Sequence, residues 1–205
     1  MAEHGTTAWG RAWLRIAEPT TAKGIDTRLP RARSLARQDA VHNLAAVPGQ
    51  VTGTVVARDR EHRVDLHVPT WATEQREHVL RWIADNAATT AALLRGDAPD
   101  ELADWLVAAG IDVAPTTAQV DAGCPCRERR RPCTHALAVC YVLVQHIDEE
   151  PALALTLRGL TRPEPDRRWI PLTELNPRGF FEARTAFGRG GVILGEARSA
   201  RKRQQ

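Results

Sequence analysis

The sequence predicts an α+β fold: a small antiparallel sheet, a helical middle, and a strand–loop–helix unit stapled by clustered cysteines and a histidine. Three observations carry this. Between residues 40 and 68, "VHNLAAV", "VTGTVVA" and "RVDLHV" are short runs that read as strands, separated by turn residues. After Pro69 the apolar period lengthens to that of a helix. Finally, "CPCRERRRPCTHAL", residues 124 to 137, sets three cysteines and a histidine around four arginines.

In chain order, "TTAWGRAWLRIAE" reads as a short helix. Trp9, Trp13 and Ile16 fall at helical spacing, and Pro19 stops it. Residues 20 to 38 are polar, with Arg28, Arg31, Arg33 and Arg37 close together, and predict an extended basic arm or loop. The three strands follow, joined by "PGQ" and by "RDREH". In the third, Val64, Leu66 and Val68 alternate with Arg63, Asp65 and His67, so one face is wet.

Trp71 then staples the start of "EQREHVLRWIADNA", where Val79, Trp82, Ile83 and Asn86 share a face. "TAALLRG" continues this helix or follows a break. "DAPDELADWLVAAG" starts a further helix at Asp97 and Pro99, places acids in its first turn, and stops at Gly110. Leu102, Trp105, Leu106 and Ala109 form its apolar face. A short strand is expected over "IDVAP", and another over "AQVDAGCPC", running into the cysteines. "THALAVCYVLVQHIDE" is a helix apolar on most sides, and "PALALTLRGL" a last short one. Beyond Thr161 the chain is rich in Pro, Arg and Gly. It reads as a partly disordered tail with Trp169, Phe180, Phe181 and Phe187 as anchors and a basic end at Arg201, Lys202 and Arg203. The organisation is thus an N-terminal helix and basic arm at 1–38, an α+β core at 39–160, and a tail at 161–205.

The 205 residues suit one domain with tails, and six tryptophans argue against wholesale disorder. A net charge of +3 by itself decides nothing about nucleic acid, but the charge is uneven. The first 37 residues, the cysteine loop and the end are basic, whereas residues 70 to 112 are acidic. No apolar run approaches the ~18 residues of a membrane span, and the start lacks a signal pattern. A soluble, cytoplasmic protein is expected. In that reducing compartment the four cysteines are poor disulfide candidates, and three beside a histidine favour a metal.

Cys124, Cys126, Cys133 and His135 are spaced C-x-C-x6-C-x-H. Zinc takes four such ligands at tetrahedral corners. Pro125 bends the chain between the first pair, and His135 sits at a helix start where it can swing back to the same point. Six intervening residues make loop closure cheap. Four good ligands imply one closed, structural Zn²⁺ rather than a catalytic ion with an open position. Three thiolates and a neutral imidazole leave that site at −1. Arg127, Arg129, Arg130 and Arg131, opposed by Glu128, therefore either offset thiolate charge or offer phosphates a basic tip.

C-x-C-xn-C-x-H on a strand and then a helix resembles the SWIM zinc finger, here at about residues 118–148. "AWGRAWL", "RLPRARSLARQDAV", "VPGQVTGTVV" and "GDAPDELADWLVAAGIDVAP" also resemble bacterial SWIM zinc finger family proteins, over roughly residues 6 to 160. The hairpin after the second strand departs from the family, reading "VVARDREHRV" where a Gly-Ser and an aromatic are common. The resemblance implies zinc on Cys124, Cys126, Cys133 and His135. It also implies DNA binding or protein contact, often alongside Swi/Snf-type helicases.

Other candidates carry less. Cys140 points away from the zinc and reads as a core thiol. His146 ends its helix, where a cation suits the dipole. Asp65 and His67 lack a nucleophile. "GRGG" at 188 to 191 lacks the spacing of a phosphate loop. Trp82 and Trp105 read as core. The expected function is a non-enzymatic, zinc-dependent module binding DNA or RNA non-specifically. Its phosphate contacts would be Arg127, Arg129, Arg130 and Arg131 on the loop and Arg31, Arg33 and Arg37 on the arm. The rival is an adaptor that docks on a Swi/Snf-type helicase or a transcription component. A thiol redox sensor is a third, weaker reading.

Overall fold

The computed structural model describes residues 4–19 and 25–160. The tail anchors Trp169, Phe180, Phe181 and Phe187, and the basic end, lie outside the described residues. The described residues all fall within one compact unit.

Four antiparallel strands form one sheet in the order β1-β2-β3-β4: β1 (Val41–Val47), β2 (Gln50–Ala57), β3 (Arg60–His67) and β4 (Asp121–Gly123). Pro48 and Gly49, the latter at φ 79°, turn β1 into β2. Arg58 and Asp59 turn β2 into β3 with φ of 52° and 59°. Two positive values suit the right-handed twist of a tight hairpin. Along β2, Val51, Gly53, Val55 and Ala57 are buried and alternate with half-exposed Thr52, Thr54 and Val56. They pair in register with Leu66, Val64, His62 and Arg60 of β3.

Seven α-helices lie among the described residues: α1 (Ala8–Leu14), α2 (Arg28–Arg37), α3 (Thr73–Asp85), α4 (Ala87–Leu94), α5 (Asp100–Ala108), α6 (Thr134–Glu149) and α7 (Ala152–Leu157). The apolar α6 is the central one. It crosses the inner face of the hairpin, where a β-carbon on Gly53 would sit 3.5 Å from Val139 Cγ2. Glycine at that position lets helix and strand approach closely. Helices α1 and α2 pack on α6. Trp9 and Trp13 of α1 are fully buried.

Residues 28–37 form a helix rather than an extended arm. Ala32 and Ala36, one turn apart, are buried against α6, and Leu29 and Leu35 pack beside them. The arginines between these residues mask a narrow small-residue stripe. Pro30 is the third helical residue, where its missing N–H is one the helix cannot use anyway. Asp26 accepts the Arg28 N–H at 3.0 Å and so satisfies a free donor.

The expected strand at residues 111–115 is also absent. Ile111 and Val113 are buried, but their backbone wraps the end of α5. Gly110 takes φ 68°, and the Ile111 N–H donates to Leu106 O at 2.9 Å. Trp71 Nε1 donates to Asp112 O at 2.9 Å, so that carbonyl is satisfied without a neighbouring strand. On α5 the buried face is Leu102, Ala103 and Leu106, with Ala109 exposed.

Candidate metal centre and the groove beside it

The short β4 pairs Asp65 with Gly123, Leu66 with Ala122 and His67 with Asp121. This fixes the chain against the sheet until Gly123 and delivers Cys124 and Cys126 just beyond it. Cys133 is the N-cap of α6, its Sγ accepting from the Ala136 N–H at 3.5 Å. His135 is the second residue of α6 and lies one turn before Val139, on the face beneath the hairpin. Its ring stacks on His62 of β3, with centroids 4.1 Å apart and planes 14° from parallel.

One donor atom from each of Cys124, Cys126, Cys133 and His135 lies within 4.8 Å of all the others. A tetrahedron with metal–sulfur bonds of about 2.3 Å has edges of about 3.8 Å. The residues present therefore fit a metal ion, and their thiolate-rich set favours a soft or borderline one. Cys124 Sγ and His135 Nδ1 stand 3.9 Å apart, a little longer than one such edge.

Burial pushes the Cys124 thiol up to about 12 and raises that of Cys133. Burial also opposes the Cys126 thiolate, but hydrogen bonds from the Glu128 N–H, the other two cysteines and Arg131 outweigh it, so its pKa falls. A bound cation reverses the burial penalty by stabilising the thiolates directly. Burial and the adjacent His62 lower the pKa of His135, which keeps the imidazole neutral and able to ligate.

The loop is tied down by its own charges. Glu128 accepts the Thr134 N–H at 2.8 Å and the Thr134 hydroxyl at 3.3 Å, capping α6. Arg131 folds back over the thiols, with Nη1 3.8 Å from Cys126 Sγ and Nη2 3.2 Å from Cys124 O. Arg28 of α2 donates to the Pro132 carbonyl and pairs with Asp26.

Beside these four residues lies a groove of about 610 Å³. Arg31 from α2, Arg58 and Arg60 from the β2–β3 hairpin and Arg127 from the loop line it, together with His62 and His135. The predicted basic residues thus separate by position. Arg31 and Arg127 meet in the groove, Arg129 and Arg130 are exposed on the loop, and Arg131 covers the thiols. Arg37 is exposed at the last turn of α2. Arg33 is engaged elsewhere, 2.7 Å from Glu18 and 3.1 Å from the Tyr141 hydroxyl.

Arg58, Arg60 and His62 are not among the residues the sequence singles out, because "RDREH" reads entirely as a connection. A signal was present. Val64 and Leu66 face the core, so parity alone carries His62 and Arg60 onto the same face. Cys140 is a buried core thiol, its pKa pushed by burial to about 12. Trp82 and Trp105 are half-buried and stacked, with centroids 5.2 Å apart.

The chain is similar to the uncharacterized protein Rv2102 of Mycobacterium tuberculosis, 33% identical over 160 residues. That likeness takes in 77% of this chain and 57% of the relative, so the chain matches little more than half of the relative's length. No family model and no solved structure matches the chain. No helix among the described residues is long and apolar enough to cross a membrane.

Proposed function

We propose that the chain is a non-enzymatic nucleic-acid-binding module organised by one structural zinc ion, with a SWIM-type strand–loop–helix as its metal unit. It works in the cytoplasm, where its thiols stay reduced. Zinc on Cys124, Cys126, Cys133 and His135 fixes the loop between β4 and α6. The loop in turn holds Arg127 beside Arg31, Arg58 and Arg60. The observation that carries the reading is this gathering of four arginines from three separate elements around one groove. Glu128 is the one carboxylate among the lining residues, and it is occupied in capping α6. Such a concentration of guanidinium groups suits phosphate oxygens. No helix among the described residues presents base-reading side chains in an evident row, so the contacts are mainly to the backbone and non-specific.

A second reading, an adaptor docking on a Swi/Snf-type helicase, is favoured by the half-buried Trp82–Trp105 stack, which carries His78 edge-on at 5.0 Å. The test is metal analysis followed by anisotropy titrations of labelled DNA and RNA at several salt concentrations. One zinc per chain is expected, with binding that weakens log-linearly with salt and is lost in an Arg58→Glu, Arg127→Glu double variant. Absence of binding even at low salt, in zinc-loaded protein, would sink the nucleic-acid reading and leave the adaptor in front.

A further inference from the structure

We propose that the groove beside the metal centre is a site for single-stranded nucleic acid, in which phosphates lie on Arg31, Arg58, Arg60 and Arg127 and an unstacked base lies against His62. The inference rests on the nucleic-acid reading of the same site and adds the form of the ligand and a base-contacting residue.

Strand parity decides which side chains of β3 face the groove. On the inner face of β3 the side chains run Leu66, Val64, His62, Arg60 toward the hairpin tip. The first two are fully buried, His62 is half-buried, and Arg60 is exposed. The face thus changes from apolar to aromatic to cationic within four alternate positions. Beneath it α6 offers Val139 under Gly53 and, one turn earlier, His135 under His62. The hairpin therefore overhangs the start of α6, and the groove lies under the overhang. His62 is held by its stack on His135, and both rings line the cavity.

This combination discriminates between forms of nucleic acid. A duplex keeps its base faces inside the stack and presents phosphates on a convex surface, so it can reach the rim arginines but not a recessed ring. An unpaired strand can place a base on an aromatic face while its backbone follows the cations. A volume of about 610 Å³ is in the range of pockets that enclose ligands of nucleotide size. The four arginines make no ion pair with any described residue, so their charge is available to a ligand.

The experiment uses the full zinc-loaded chain and labelled 12-mers: single-stranded DNA, single-stranded RNA and the DNA duplex, with inorganic polyphosphate as a ring-free polyanion. Single strands are expected to bind about tenfold or more tighter than the duplex. His62→Ala should weaken single-strand binding about tenfold and leave polyphosphate binding unchanged. His62→Phe, which keeps a flat ring over His135, should restore it. Metal content is measured for each variant, because His62 touches a ligand. Equal affinity for strand and duplex would overturn the proposal, as would a metal-retaining His62→Ala with undiminished single-strand binding. A His62→Phe variant as weak as alanine would also count against it. Failure to bind any nucleic acid is a different result, and sinks the functional reading beneath it.

Discussion

Gly10 lies in α1 where a built β-carbon would stand 2.0 Å from Asp148 Oδ1 on α6. Nothing larger than hydrogen fits unless Asp148 moves, and Asp148 holds the N-terminal segment. Its Oδ2 accepts from the Gly5 N–H at 2.7 Å, and its Oδ1 from the Thr7 N–H and hydroxyl at 2.9 Å each. Gly10→Ala should therefore cost about 1–3 kcal/mol in chemical denaturation, the usual range for overpacking. Asp148 also gives a pH test. Burial alone would raise its pKa, but the hydrogen bonds from Thr7, Thr6 and Gly5 prevail and hold it below the ordinary carboxylate value. A depressed carboxylate contributes stability that is complete above the unfolded pKa of about 3.9 and is lost as pH falls through the folded value. Asp148→Asn presents only one acceptor oxygen and turns an amide toward a backbone donor. It should be less stable than the native chain by about 1–3 kcal/mol at pH 7. The gap should close below about pH 4, and thermal melts across pH 2–7 measure it. A gap that stays constant with pH would mean the carboxylate charge is irrelevant.

At the scale of elements, α2 and α6 show how far the fold depends on small contacts. Ala32 is wholly buried where α2 meets α6. Ala32→Leu should cost about 1–3 kcal/mol by forcing the pair apart. Exposed Arg37→Ala should stay within about 0.5 kcal/mol. Equal effects in urea denaturation would refute the packing assigned to α2. The metal unit divides in the same way. Most of α6 is buried by the sheet, α1 and α2 irrespective of the loop, whereas β4 is three residues long and the loop has little core of its own. Removing the proposed zinc with a chelator should therefore lower the melting temperature and release residues 121–133 to fast hydrogen exchange, with α6 still protected. Loss of protection along α6 as well would show that the metal organises the helix.

Over the whole molecule the net charge is only +3, and what counts is where the cations gather. Each phosphate neutralised on a single strand contributes about −0.7 to the slope of log affinity against log salt. Replacing Arg31, Arg58, Arg60 or Arg127 by alanine should each flatten that slope by about 0.7, and Arg33→Ala should not, because Arg33 is held by Glu18 and Tyr141. Titrations of one oligonucleotide at four salt concentrations decide between them. A flattening in Arg33→Ala equal to the others would mean the basic surface is diffuse rather than gathered at the groove.

The sequence alone carries what depends on local pattern. Short runs between turn residues mark the three strands at 41–67, a long apolar run marks α6, and the spacing C-x-C-x6-C-x-H marks the candidate metal site, because residues this close along the chain need no remote partner. It failed where the deciding partner is remote. The stripe of α2 is legible only against α6, since alanines among arginines carry little hydrophobic signal alone. Ile111 and Val113 look like a strand until Trp71 and the end of α5 claim their backbone. The groove is wholly tertiary. Arg31, Arg58, Arg60 and Arg127 lie up to 96 residues apart, and only the packing of hairpin, α2 and loop around the start of α6 brings them together and takes Arg33 away. Charge is written residue by residue, but the direction in which it points is fixed by which faces the core consumes first.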